Sequence, residues 1–353
     1  MESVRQTVDR IRRLEVKGAR NVAIAALEAL RVLAEETEAK TREGFLRELS
    51  EAKDLLFSSR PTEPLMRNAV NWVMCNVEWS EKKRVSDLAR VVSSSACEFL
   101  RSLEESRECI AEIGAKRIRD GMVVFTHCHS STVTHMLRKA KQNGKNFEVI
   151  CTETRPVFQG RTTAKEMLEL GVKTTFIIDS AARSLMNKAD IVVVGADAIT
   201  SEGNVVNKIG TATIAVLAHE ARVPFYVVSE LLKFDPATLC GDYEGIEERS
   251  SDEVWKEAPE KLVVRNPAFE VTRRAYIHGL ICEEGVIPPQ TVTEVMKRKY
   301  PWIFSCTNRG DAKSILLFLK TQGPLDGESA KNITYASEKG RKITRARKAA
   351  MTK

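Results

Sequence analysis

The hydrophobic period of this chain changes near residue 120, and that change limits the possible fold more than any other feature. Before it, apolar residues recur at helical spacing. Val4, Val8, Ile11 and Leu14 form one face, and an Ala/Leu-rich face follows from Val22 to Leu33. Thr41 to Leu56 and Arg84 to Ile113 give two longer amphipathic patterns, with Pro61 and Pro64 interrupting between them. Beyond it, short β-type runs appear at Met122–Phe125, Phe147–Cys151, Thr174–Ile178, Ile191–Val194 and Phe225–Val228. Helical segments separate them: a stretch to Gln142, then Thr163–Leu170, Ala181–Asn187 and Lys208–Ala221. Strands alternating with helices predict an α/β fold with a parallel sheet covered on both faces. The expected division is a helical domain over 1–119, an α/β domain over 120–320 and a basic tail over 321–353.

Charge and cysteine usage exclude several classes. The net charge of +7 resides entirely in residues 329–353, which hold eight Lys/Arg against the single acid Glu338. The rest of the chain is electrically balanced, so the tail reads as a solvated segment; contact with nucleic acid through it is the less favoured alternative. No apolar run approaches the roughly 20 residues of a membrane span. The polar N-terminus has no secretory pattern, and a cytoplasmic protein with no membrane contact is expected. The cysteines at 75, 97, 109, 128, 151, 240, 282 and 306 contain no C-x-x-C pair, which argues against a zinc cluster or a disulfide scaffold. Most are expected to be buried thiols.

In a parallel sheet, ligands bind at the carboxyl ends of the strands. After the first run stands Thr126-His127-Cys128-His129-Ser130-Ser131-Thr132, leading into a helix. Hydroxyls and free N–H groups there suit a phosphate, and the helix dipole would lower a thiol pKa. A plain helix cap beside a buried thiol fits the spacing slightly better, taken alone. Alternation along an extended segment keeps His127 and His129 from converging with Cys128, so no metal is expected. Thr152-Glu153-Thr154-Arg155 follows the second run, and Gly195-Ala196-Asp197 the fourth. Asn207-Lys208-Ile209-Gly210-Thr211 opens the next helix as a second candidate phosphate site; Ser229, Glu230 and Lys233 follow the fifth run. Each has an ordinary structural alternative, such as a surface ion pair. Together they supply a thiol, a carboxylate and cations, the set that aldose–ketose isomerisation of a sugar phosphate requires. Neither a G-x-G-x-x-G nor a G-x-x-x-x-G-K-[ST] sequence is present, so nicotinamide and ATP-hydrolysis readings lack support.

Nine segments, in order, carry a resemblance: KGAR at 17–20, SRPT at 59–62, THCHS at 126–130, TETRP at 152–156, GADAI at 195–199, NKIGT at 207–211, KF at 233–234, NPAFEVT at 266–272 and GVIPP at 285–289. With these the chain resembles the archaeal ribose-1,5-bisphosphate isomerases. Their superfamily includes methylthioribose-1-phosphate isomerase and regulatory subunits of the translation-initiation exchange factor 2B. The resemblance implies a Rossmann-like sheet domain after the helical one, assembly into a homo-oligomer (dimer or hexamer), and no cofactor. It implies Cys128 as proton acceptor and Asp197 as proton donor. Substrate-binding positions fall on Lys17, Gly18, Ala19, Arg20, Arg60, Ser130, Ser131, Thr132, Asn207, Lys208 and Lys233. The implied reaction converts ribose 1,5-bisphosphate to ribulose 1,5-bisphosphate in AMP salvage. Alternatives are a non-catalytic regulatory subunit and a methylthioribose-1-phosphate isomerase. Lys17 stands where the family usually has Arg, replacing a bidentate clamp with a point charge.

Overall fold

The computed structural model describes residues 1–60, 63–241 and 245–306, so the basic tail lies outside the described residues. Five helices open the chain: α1 (Glu2–Arg12), α2 (Ala19–Glu35), α3 (Arg42–Ser59), α4 (Pro64–Trp79) and α5 (Val85–Ala115). The helical period predicted four of them. Pro64, read as an interruption, instead occupies the first position of α4. Proline fits there because the first-turn N–H has no partner within a helix.

The sheet follows, as β1 (Val123–Thr126), α6 (Ser131–Gln142), β2 (Glu148–Thr152), α7 (Gly160–Glu169), β3 (Lys173–Ile177), α8 (Ala182–Met186) and β4 (Ile191–Val194). Then come β5 (Ala198–Ile199), β6 (Val205–Lys208), α9 (Thr211–Glu220), β7 (Phe225–Val228), β8 (Phe269–Thr272), β9 (Gly279–Cys282), β10 (Gly285–Ile287) and α10 (Val292–Lys299). The main sheet has the order β10-β9-β7-β4-β1-β2-β3, parallel except for the edge pair β9–β10. A small antiparallel sheet, β5-β6-β8, stands beside it. Lys208, expected to begin a helix, instead ends strand β6.

Alternation along the strands sorts side chains between two cores. Phe125, Val192, Val194, Phe225 and Val227 join the core that contains the N-terminal helices. Val124, Val149, Cys151 and Val193 face a second core with α6. Helix α5, about 46 Å long at 1.5 Å per residue, belongs to both. Leu88, Val92 and Leu103 enter the first core, whereas Ile110 and Ala115 enter the second. Among the described residues no helix is long and apolar enough to cross a membrane. The cysteines divide differently from expectation. Cys151 and Cys282 are buried, but Cys97, Cys109 and Cys240 are exposed because they fall on outward faces or in a surface turn.

Candidate active site

Strands β1 and β4 are hydrogen-bonded neighbours, although the chain builds β2 and β3 between them in sequence. From β1 the chain winds outward in one direction, and from β4 it winds in the other. The loops leaving their carboxyl ends therefore diverge and open a crevice. Cys128 lies in the first loop and half-buried Asp197 in the second. Glycine makes their approach possible. A Cβ on Gly195 would sit 2.6 Å from Ser130 Oγ. Ser130 is the N-cap of α6, accepting from the Val133 N–H at 3.4 Å.

The backbone of Cys128 is left-handed, with φ 67°. Its N–H donates to Thr154 Oγ1 at 2.9 Å, and its carbonyl accepts from Thr163 Oγ1 at 2.9 Å. These bonds offset the strain of a non-glycine residue in that region. Behind it, His127 is buried between Thr152 Oγ1 at 2.6 Å and the Ile209 carbonyl at 2.8 Å. A carbonyl can only accept, so Nε2 carries the hydrogen and Nδ1 accepts from Thr152. Burial lowers the His127 pKa and keeps that neutral tautomer. Gly210 crowds the ring closely: a Cβ there would lie 2.7 Å from it.

The thiol corrects an expectation. Its pKa is not lowered but pushed up to about 12, chiefly by burial, with the Asp197 and Asp179 carboxylates adding to the effect. Lys208 and the His129 backbone N–H oppose the rise without overcoming it. A fringe of Cys128 reaches the crevice, yet the thiol is packed round by protein, and desolvation outweighs the helix dipole.

Cations line the crevice from both sides. Lys208 is buried, with Nζ 4.9 Å from the centre of the Phe269 ring, and desolvation lowers its pKa. Arg60 lies over the same ring at 5.7 Å and pairs with Glu63 at 3.2 Å and Glu247 at 3.7 Å. Lys233 donates to the Ala196 carbonyl at 2.8 Å and pairs with Glu230 at 3.3 Å. Thr132 Oγ1 donates to the other Glu230 oxygen at 3.2 Å. Glu230 is fully buried; desolvation is the largest influence on its pKa, but Lys233 and Arg20 help to hold it below its usual value. Arg20 also bonds the Leu103 carbonyl at 3.0 Å and the Glu104 carboxylate on α5.

The structure thus brings Cys128, Asp197, Arg20, Arg60, Ser130, Thr132, Lys208 and Lys233 together. It does so less clearly for the rest. Ala19 is buried in α2, Lys17 and Gly18 are exposed before it, and Ser131 is exposed at the start of α6. Buried Asn207 donates to Thr211 Oγ1 at 3.0 Å. The second candidate phosphate site is closed. Glu270 accepts from the N–H groups of Gly210 and Ala212, the latter at 2.9 Å, so a protein carboxylate already fills the N-terminus of α9. Exposed Arg155 turns away to the Val254 carbonyl at 3.1 Å. Among the described residues no cluster of three or more His, Cys, Asp or Glu could hold a metal ion. Glu63, Glu247 and Glu270 escaped the sequence reading. Only Glu270 carried a signal, lying in a segment already singled out.

A thiol and a carboxylate thus stand at a sheet switch point with several cations around them. The family follows from comparison. Residues 15–289 match the initiation factor 2 subunit family, and the chain belongs to it. A ribose 1,5-bisphosphate isomerase from Archaeoglobus fulgidus is 46% identical over 296 residues, covering 82% of this chain and 91% of that protein. Its counterpart from Pyrococcus furiosus is 40% identical over 311 residues, covering 86% and 96%. A solved structure described as Pyrococcus horikoshii translation initiation factor eIF-2B superposes with a TM-score of 0.71 at 33% identity, covering 82% of this chain and 98% of that one.

Proposed function

We propose that this chain is an aldose–ketose isomerase converting ribose 1,5-bisphosphate to ribulose 1,5-bisphosphate. One observation carries the reading: Cys128 and Asp197 stand on the loops that leave neighbouring strands, with the buried Lys208 charge acting on both. Relatives bearing that activity match more than four-fifths of the chain.

The chemistry assigns two tasks. The C1 carbon of the substrate bears a phosphate, so the ring opens when its oxygen leaves C1 and takes up a proton. Asp197 supplies that proton. Cys128 removes the proton from C2, giving a 1,2-enol that keeps its phosphate. Cys128 then returns the proton to C1 while Asp197 recovers one from the C2 hydroxyl, leaving the ketone. Every proton lent is restored, and no external acid, base or redox group is consumed. With its pKa pushed up to about 12 the thiol carries its proton at neutral pH, so the reactive form is the one in which that proton has been given up. Lys208 stabilises the thiolate and the enol oxygen. Arg20, Arg60 and Lys233 hold the phosphates, with Ser130, Ser131 and Thr132 at the α6 N-terminus.

Assembly into a homo-oligomer belongs to the same proposal. Edge strand β3 exposes Phe176, and Leu168 and Ile178 beside it are exposed too, an apolar edge suited to burial against another copy. Purified protein incubated with ribose 1,5-bisphosphate tests the activity. Ribulose 1,5-bisphosphate should appear, while methylthioribose 1-phosphate should remain unchanged. No product would leave a regulatory subunit; turnover of the second sugar alone would reassign the substrate.

A further inference from the structure

Glu63 is not used by this chemistry, and its surroundings are unusual. It is the N-cap residue of α4 but makes no side-chain capping bond there. It is only 1% exposed, and among the described residues neither carboxylate oxygen has a hydrogen-bond partner. Among the described residues it forms an ion pair with Arg60, whose guanidinium also pairs with Glu247. The charged groups facing it come from every side of the crevice: Arg60 after α3, Asp197 after β4, Lys233 after β7, and Glu247 from the segment leading to β8. The cations of the crevice already have carboxylate partners: Arg20 pairs with Glu104, Arg60 with Glu63 and Glu247, and Lys233 with Glu230.

A bisphosphate disturbs those pairings, since each phosphate brings roughly −1.5 to −2 charges at neutral pH. Arg60 cannot serve an incoming phosphate fully while a buried carboxylate claims it. A carboxylate stripped of cation and solvent becomes neutral rather than remain charged. We propose that Glu63 is a positioning residue that takes up a proton from solvent when a sugar bisphosphate binds, releasing the Arg60 guanidinium to the phosphate. Burial already raises its pKa to about 7, with Asp197 and Glu247 adding and Arg60 opposing. Weakening the Arg60 contact and adding phosphate charge both push it further in the same direction. The inference rests on the isomerase reading, whose substrate brings two phosphates into the site.

Calorimetry at pH 8 in buffers of different ionisation enthalpy counts the protons taken up on binding. A Cys128→Ala protein prevents turnover, and ribose 1,5-bisphosphate is the probe. Binding should be accompanied by uptake of about half a proton or more, and Glu63→Gln in that background should abolish this uptake while binding persists. A carboxylate that merely braced the fold would alter affinity without altering the proton count. Wild-type protein gives a second reading independent of any variant at 63. Its infrared difference spectrum with and without the bisphosphate should gain a protonated carboxyl band. Binding with equal proton counts in the two proteins, or without that band, overturns the inference alone. No binding of the bisphosphate overturns the substrate reading and the inference with it.

Discussion

Lys233 donates its ammonium to the carbonyl of Ala196 at 2.8 Å, one residue before Asp197. A cation from the turn after β7 therefore fixes the exit of β4, the loop that carries the proposed acid. Its other partner, Glu230, is buried and depends on it.

Replacing Lys233 should therefore cost both stability and activity. Lys233→Met leaves Glu230 buried without its ion-pair partner, a loss of about 3 kcal/mol. Adding Glu230→Gln should recover much of the melting temperature but little of the activity, because the phosphate cation is still missing. Recovery of both would show that Lys233 serves the fold only.

Cys128→Ser should retain the melting curve and lose nearly all turnover. A variant keeping more than about a tenth of wild-type kcat, a barrier change below roughly 1.4 kcal/mol, would remove Cys128 from the proposed chemistry. The pH profile gives a second check. With the thiol pushed up to about 12, its ionised fraction grows about tenfold per pH unit through the neutral and mildly alkaline range. Turnover should rise with pH between about 7 and 9. A profile flat over that range would show that thiolate formation does not limit the rate.

Asp197→Asn preserves shape but cannot exchange a proton with the ring oxygen. The expected result is a kcat lower by about 100-fold or more, with KM little changed. A raised KM with kcat kept would make Asp197 a loop brace.

Glu283 is buried and its pKa is raised to about 7, mainly by burial, although it accepts from Tyr300 Oη at 2.8 Å and the Leu231 N–H at 3.1 Å. A raised carboxyl pKa favours the folded state at low pH. That contribution is complete below the unfolded value near 4.5 and is lost as pH rises through 7. Stability should fall between about pH 5 and 8 by up to about 3 kcal/mol for this group. Glu283→Gln should flatten the slope in part, since Glu63 titrates over the same window. An unchanged slope would show that Glu283 does not titrate there.

The period of the sequence made the parallel sheet legible, and the sheet in turn placed Cys128 and Asp197 at strand ends. Other features lay beneath that signal. Strand β5 has only two residues, too few for alternation to show, so the pattern does not reveal the antiparallel sheet and Lys208 reads as the start of a helix. Glu247 meets Arg60 only through tertiary packing, from far along the chain, whereas Glu63 stands three residues from Arg60 and is set apart by its burial, which no local pattern records. The direction of the Cys128 shift depended on how much protein surrounds the thiol, which no local pattern records. Glu270 closed an apparent anion site from a strand some 60 residues further along, as its bond to the Gly210 N–H spans that separation.

Helix α5 places Leu103 in one core and Ile110 in the other, so a single rod is load shared between both halves of the molecule. Neither half can melt without stripping apolar surface from this rod, and heat or denaturant should dissolve both in one transition. A protease nick in the turn after Ala115 would then cut the chain without parting it. The N-terminal fragment would keep Ile110 and Ala115 seated against α6 and the sheet, and the two pieces should run together on a sizing column until they are unfolded.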